Sequence, residues 1–292
     1  MLPFNLPAPL HANSPPEWLG GGFRLGQKIV PVLEYSENFA GWSDDLTTLH
    51  EEAAGASHPI DVASRNDAIR QLRARLGTNT PCVLEIGCSS GFMLREMQLA
   101  LPNATIVGAD VVREPLYVLA KQLPTIPLLR FDLLQCPLPT NSFDAVVMLN
   151  VLEHIADDIL ALKQVRRILK PGGFALIEVP AGPHLYDAYD KALNHFRRYS
   201  VRELVAKLRS VGFSVDRQTH LGFFLYPAFA MVKRRNRHRT IAEDLRSLVR
   251  EQASQTSSSK LLTLALKIES ILGNRISYPF GIRCLAVGRK TS

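Results

Sequence analysis

Cysteine is scarce in this chain. There are four, Cys82, Cys88, Cys136 and Cys284, and no two form a Cys-x-x-Cys pair. That spacing suggests neither a zinc knuckle nor a dithiol redox motif, and no metal site is expected from it. Cys82 and Cys284 sit in apolar runs, where a thiol acts as a small hydrophobe. Free thiols suit a reducing compartment. No run of eighteen or more apolar residues occurs, which argues against a transmembrane helix. Residues 1–16 hold several prolines and no basic stretch before an apolar core, so a signal peptide is not expected. A cytoplasmic location is expected. Acidic residues are in deficit: 34 Lys and Arg face 27 Asp and Glu, for a formal charge of +7. The surplus favours anionic partners without choosing among nucleic acid, anionic lipid and phosphorylated substrates.

What is present is an ordinary globular balance, with 46% hydrophobic and 21% charged residues in 292. Prolines and Gly20-Gly21-Gly22 in the first 30 residues predict an irregular or mobile arm. Apolar residues at helical spacing predict a helix over 60–76, stopped by Gly77. An alternation then begins. Strands are expected at 81–86, 104–109, 126–130, 143–149 and 174–179, and helices at 92–101, 114–123 and 157–169. Such alternation argues for a parallel sheet covered on both faces. Residues 181–200 read as a loop rich in polar and aromatic residues. Ser200-Val-Arg-Glu203 fits a capping box opening a helix over 201–211. A strand at 213–220 follows, then an apolar run at 221–232 leading into a basic stretch at 233–239. Residues 252–259 read as a flexible linker, 261–272 as an apolar helix and 281–287 as a last strand.

The chemistry gathers at strand ends. Glu85-Ile86-Gly87-Cys88-Ser89-Ser90-Gly91 places a carboxylate and a glycine turn between a strand and a helix. Gly87 permits backbone angles that a side chain would forbid, and Gly91 would let ligand and helix approach. The spacing is Glu-x-Gly-x-x-x-Gly. It differs from the Gly-x-Gly-x-x-Gly turn that aims a helix at a pyrophosphate, which disfavours a nicotinamide oxidoreductase. An acid beside the turn suits a cationic ligand. Asp110 closes the second strand, where a carboxylate can accept two ribose hydroxyls. Asp132, with Leu133, closes the third and can meet an adenine. Asn150 closes the fourth. Each alone also suits a helix cap; all of them at successive strand ends suggest one crevice.

Several stretches together resemble the class I (Rossmann-like) S-adenosylmethionine-dependent methyltransferases. They are Val83-Leu-Glu-Ile-Gly-Cys-Ser-Ser-Gly91, Gly108-Ala-Asp-Val111, Phe131-Asp-Leu-Leu134, the segment 138–147, Asn150-Val-Leu-Glu-His-Ile155 and Leu169-Lys-Pro-Gly-Gly-Phe174. The resemblance spans about residues 60–220. It implies a doubly wound α/β fold: a seven-stranded, mostly parallel sheet whose last strand is antiparallel, with an N-terminal arm (1–58), a core (59–222), a helical insertion or cap (223–275) and a returning last strand (276–292). It implies S-adenosylmethionine as cofactor, held by Glu85, Gly87, Cys88, Ser89, Gly91, Asp110, Val111, Asp132, Leu133 and Asn150. His195-Phe-Arg-Arg-Tyr-Ser200 resembles a His-x-Arg-Arg-Tyr segment of a bacterial branch of the same class.

The methyl acceptor is less legible. Methyl transfer needs alignment first and a base only for an acceptor that must lose a proton. His154 and His195 are the candidate catalytic groups, with Glu153 and His184 as further options. Arg197, Arg198 and Tyr199 are candidate substrate contacts. The expected activity is transfer to an O or N of a small-molecule or lipid- or glycan-linked acceptor. Alternatives are RNA methylation and a non-catalytic binding role. The absence of an Asn/Asp-Pro-Pro-aromatic segment after Leu149 argues against base methylation, so a nucleic acid partner is disfavoured. The run at 221–239 could touch the inner membrane face through an apolar stretch beside basic residues.

Overall fold

A computed structural model describes residues 2–37, 58–77, 80–236, 260–273 and 276–291. The expected 252–259 linker and the basic residues 237–239 lie outside the described residues.

The predicted alternation is the backbone of the fold. β1 (Glu17–Trp18), β2 (Phe23–Leu25) and β3 (Lys28–Val30) form a small antiparallel sheet, and β4 (Val32–Glu34) follows. Then come α1 (Pro59–Arg75), β5 (Cys82–Ile86), α2 (Phe92–Ala100), β6 (Thr105–Asp110), α3 (Glu114–Gln122), β7 (Leu128–Arg130), β8 (Phe143–Leu149), α4 (Asp158–Ile168) and β9 (Leu169–Pro180). The chain continues through α5 (Ala188–Ala192), α6 (Val201–Ser210), β10 (Phe213–Leu221), α7 (Tyr226–Asn236), α8 (Lys260–Leu272) and β11 (Arg283–Lys290). The main sheet runs β10-β11-β9-β8-β5-β6-β7-β4. Its strands are parallel except β11, which pairs antiparallel to both neighbours.

Two features differ from the sequence expectation. The sheet has eight strands, because Val32–Glu34 adds in parallel to the edge strand β7. The arm is also more ordered than its prolines suggest. Phe4 meets Phe143 with ring centroids 5.0 Å apart, and Leu6 and Phe23 are buried against the sheet. Apolar burial there, at roughly 1.5–3 kcal/mol per large side chain, outweighs the irregular local propensity.

Side chains alternate across the central strands, so each face has its own core. Leu84, Ile86, Val146 and Met148 meet Leu162, Val165 and Ile168 of α4 on one face. Val83, Ala145 and Val147 share the other with Leu72 of α1, Leu94 and Met97 of α2 and Leu116 of α3. This double cover leaves the strand carboxyl ends as the open edge, where a ligand can enter.

Above that edge sit α5 and α7. Glu269 of α8 braces the entry to α7, accepting from the backbone N–H of Gly222 at 2.6 Å. Phe223 stacks on Tyr278 at 5.1 Å. Partly buried Arg283 of β11 ties three elements together: it pairs with Asp61 of α1 and with Glu178 of β9 (3.0 Å), and donates to Ser64 Oγ (2.7 Å). No helix among the described residues is long and apolar enough to cross a membrane.

Candidate functional site

A cavity of about 550 Å³ opens along the strand ends. One end is built from β5, β6, β7 and β8. The other is closed by residues 189–198 and by α7.

The first end takes its shape from backbone. Gly87 and Gly91 have φ of +79° and +73°, the left-handed region that favours glycine. A Cβ on Gly87 would lie 2.4 Å from Val151 Cγ2. The N–H groups of Gly87 and Cys88 both donate to Ala109 O, at 2.8 and 3.1 Å, which holds the turn against β6. Gly91 departs from its expected role. It is absent from the cavity wall, and a Cβ there would lie 2.4 Å from Leu119 Cδ1, so it serves the packing of α2 on α3.

Glu85, at the end of β5, is buried, and its Oε2 has no hydrogen-bond partner among the described residues. Burial pushes its carboxyl well above the usual range, and the neighbouring Asp110 adds to the effect. Asp110 Oδ2 accepts from Ser89 N at 2.8 Å and Oδ1 from Val111 N at 2.7 Å. Oδ1 also accepts from Val112 N at 3.3 Å, so three backbone donors hold the carboxylate rigidly at the cavity wall. Asp132 caps the turn Leu133–Gln135 through Leu134 N at 2.8 Å. Asn150 has φ of +54°, and its N–H donates to Glu178 O at 2.9 Å. Glu85, Gly87, Cys88, Ser89, Asp110, Val111, Asp132, Leu133 and Asn150 all line the cavity.

The second end is held by side chains. Asp190 is fully buried and takes three cationic or imidazole donors: His195 Nδ1 at 2.9 Å, Arg198 Nε at 2.9 Å and Lys233 Nζ at 3.1 Å. Burial opposes its ionisation, but the His195 hydrogen bond and the charges of Lys233 and Arg198 hold the carboxyl well below the usual carboxylate range. Lys233 also reaches Asp187 Oδ1 at 2.7 Å. His195 is buried, which lowers its pKa despite the Asp190 carboxylate. His154 packs edge-on against it, with centroids 4.6 Å apart. Burial raises Glu153 to about 8.

Three expectations change here. Arg197 lies outside the cavity wall, bound to Asp158 Oδ2 at 2.7 Å and to Ala156 O at 2.7 Å. Tyr199 is also outside it, fully buried, donating to Asp158 Oδ2 at 2.9 Å. Both anchor the segment to α4, so neither is placed to touch substrate. Lys233, read from sequence as the start of an exposed basic stretch, is 2% exposed and faces inward. Arg234 and Arg235 are exposed. Arg198 does line the cavity. His184 is exposed and bonded to Tyr226 Oη at 3.1 Å. Sequence reading missed Asp187 and Asp190; their only local signal is the capping box that opens α5.

Residues 84–177 match the family model described as a methyltransferase domain. The chain is 29% identical over 136 residues to a Mycolicibacterium smegmatis protein named as a probable S-adenosylmethionine-dependent methyltransferase, covering 46% of this chain and 52% of that one. It is 28% identical over 177 residues to the ubiquinone/menaquinone biosynthesis C-methyltransferase of Hahella chejuensis, covering 57% and 70%. The match to the first of these thus spans about half of that relative's length. Phosphoethanolamine N-methyltransferase 2 of Haemonchus contortus, solved with S-adenosyl-L-methionine, shares the fold at a TM-score of 0.55 and 16% identity, covering 84% of this chain and 57% of that one. Residues 84–177 therefore carry a methyltransferase domain, and the chain shares the Rossmann-like fold of solved S-adenosylmethionine-dependent methyltransferases. The family match ends before His195-Phe-Arg-Arg-Tyr-Ser200. The residues present fit S-adenosylmethionine: Glu85 Oε2 and buried Ser90 Oγ, neither with a hydrogen-bond partner among the described residues, suit a ligand bearing both cationic and hydrogen-bonding groups.

Proposed function

We propose that the protein transfers a methyl group from S-adenosylmethionine to an O or N atom of a small-molecule or lipid- or glycan-linked acceptor. The carrying observation is a single cavity that joins the Glu85–Asp110 strand ends to the His154–His195 pair. When bound, S-adenosylmethionine supplies a methyl group activated by its sulfonium. In this reading Asp110 holds the ribose hydroxyls, Asp132 and Leu133 meet the adenine, and Glu85, Ser89 and Asn150 hold the amino-acid end. Gly87 and Cys88 shape the turn, Gly91 seats α2, and Val111 flanks the ribose. The core is 59–222 with 276–292, and 223–275 is the cap.

The acceptor lies against Leu225, just before α7, and Phe229 and Val232 of α7, which exclude water and receive an apolar body. His195 donates Nδ1–H to Asp190, so its Nε2 carries the lone pair, available to take or hold an acceptor proton. Arg198 stands beside it as the remaining substrate contact of the 197–199 group. A lipid-linked acceptor at the inner membrane face draws support from exposed Phe224 just before α7, Met231 on α7 with the exposed Arg234 and Arg235 after it, and exposed Leu264 and Ile271 on α8.

Calorimetry of the full chain with S-adenosylmethionine and, separately, NAD tests the donor. Saturable binding of the former alone is expected. No binding of it, or tight binding of NAD, overturns the reading.

A further inference from the structure

Glu153 is fully buried, and neither carboxyl oxygen meets a hydrogen-bond partner among the described residues. It lines the cavity on the turn Leu152–His154 that follows β8. A buried carboxyl with no donor is costly in either protonation state. His195 is brought beside it from a distant segment: Phe196 N donates to Glu153 O at 2.8 Å, which pins the two stretches together. One ligating atom from each of Glu153, His154 and His195 lies within 4.8 Å of the others.

The third residue is also prepared. Asp190 Oδ1 lies 2.9 Å from His195 Nδ1, and with that nitrogen donating to the carboxylate Nε2 is left with its lone pair. A carboxylate behind a ring nitrogen is the arrangement that orients ligating imidazoles in metal sites.

We propose that Glu153, His154 and His195 bind a first-row divalent transition-metal cation at the acceptor end of the cavity. Two imidazoles and one carboxylate suit zinc or iron(II) far better than magnesium or calcium. The cation answers the unpaired Glu153 with a charge. Three protein ligands leave open positions toward the cavity. Those positions take an oxygen of the acceptor and favour its deprotonated form, which selects a hydroxyl over an amine. That role rests on the methyl-transfer reading; cation binding itself does not. With the cation in place His195 serves as a ligand and not as a base.

The test uses the full chain stripped with a chelator and titrated calorimetrically with Zn²⁺, without S-adenosylmethionine. One saturable equivalent is expected, lost in Glu153→Gln and weakened at least about tenfold in His154→Asn. Mg²⁺ at the same concentrations gives no saturable heat. Co²⁺ loaded into the wild type shows visible ligand-field bands that Glu153→Gln abolishes. A thermal melt establishes that each variant folds; should Glu153→Gln not fold, the wild-type Co²⁺ spectrum and His154→Asn decide. The idea is overturned by no saturable Zn²⁺ binding to the wild type, or by equivalents unchanged in both variants. S-adenosylmethionine affinity measured on Glu153→Gln stays within a few-fold, so failure of the donor reading shows separately.

Discussion

The two ends of the cavity are built by different means. At the cofactor end, polar side chains are oriented by main-chain N–H groups a few residues or one strand away, as Asp110 is by Ser89 and Val111. At the acceptor end, Asp190, Arg198 and Lys233 come from separate elements and hold one another without help from a regular ladder. The first construction follows from a strand-turn-helix geometry that many sequences can satisfy. The second depends on particular charges meeting in a buried space, where pairing must offset the cost of desolvation. A conserved chemistry of the donor beside a variable choice of acceptor would call for this division: a fixed end and a cap that can be rebuilt.

The largest effect should come from breaking the acceptor end. Lys233→Met removes the cation shared by Asp187 and Asp190 and leaves buried charge uncompensated. A loss of about 3–5 kcal/mol is expected in urea unfolding, while S-adenosylmethionine affinity changes only a few-fold. An equal collapse of both would show that the ends are not independent.

The next effect belongs to the cofactor end. Asp110→Ala removes the proposed ribose acceptor and releases three backbone donors. S-adenosylmethionine affinity should fall about 100-fold, close to 2.7 kcal/mol, as expected for hydrogen bonds to a charged group. Unchanged affinity by calorimetry removes Asp110 from the ribose.

The smallest effect sharpens the electrostatics of the same end. Glu85 has a raised pKa in the free protein because burial and Asp110 disfavour its anion. A cationic amino group bound beside it favours the anion and lowers that pKa. Binding then releases a proton, so affinity rises with pH while free Glu85 titrates, by at most tenfold per pH unit. Titrations in buffers of different ionisation enthalpy measure the proton. Release of none, or uptake, contradicts the pairing of Glu85 with the cofactor's cation.

Much of the fold is legible in the chain itself. The parallel core strands β5, β6 and β8 are short, apolar runs, and α2, α3 and α4 are bounded by ordinary helix signals, so local pattern and burial agree. The strand-end polar residues follow from that placement. The N-terminal strands were less legible, because β4 is three residues long and owes its place to pairing with β7. Arg197 and Tyr199 looked like substrate contacts because charge and aromaticity in a loop are compatible with either anchoring or recognition. Only their distance to Asp158 separates the two. Lys233 misled for a similar reason: as the first of three consecutive basic residues it resembles its solvated neighbours, yet helical rotation turns it alone toward the acids of α5.

The sequence by itself determined the doubly wound class, the glycine turn and the order of acids along the strand ends, because these depend on local periodicity and on residues close in the chain. The tertiary structure decided which groups meet at the far end of the cavity. Glu153, His154, His195, Asp190 and Lys233 are scattered over three segments, and their meeting depends on long-range packing that local propensity does not encode.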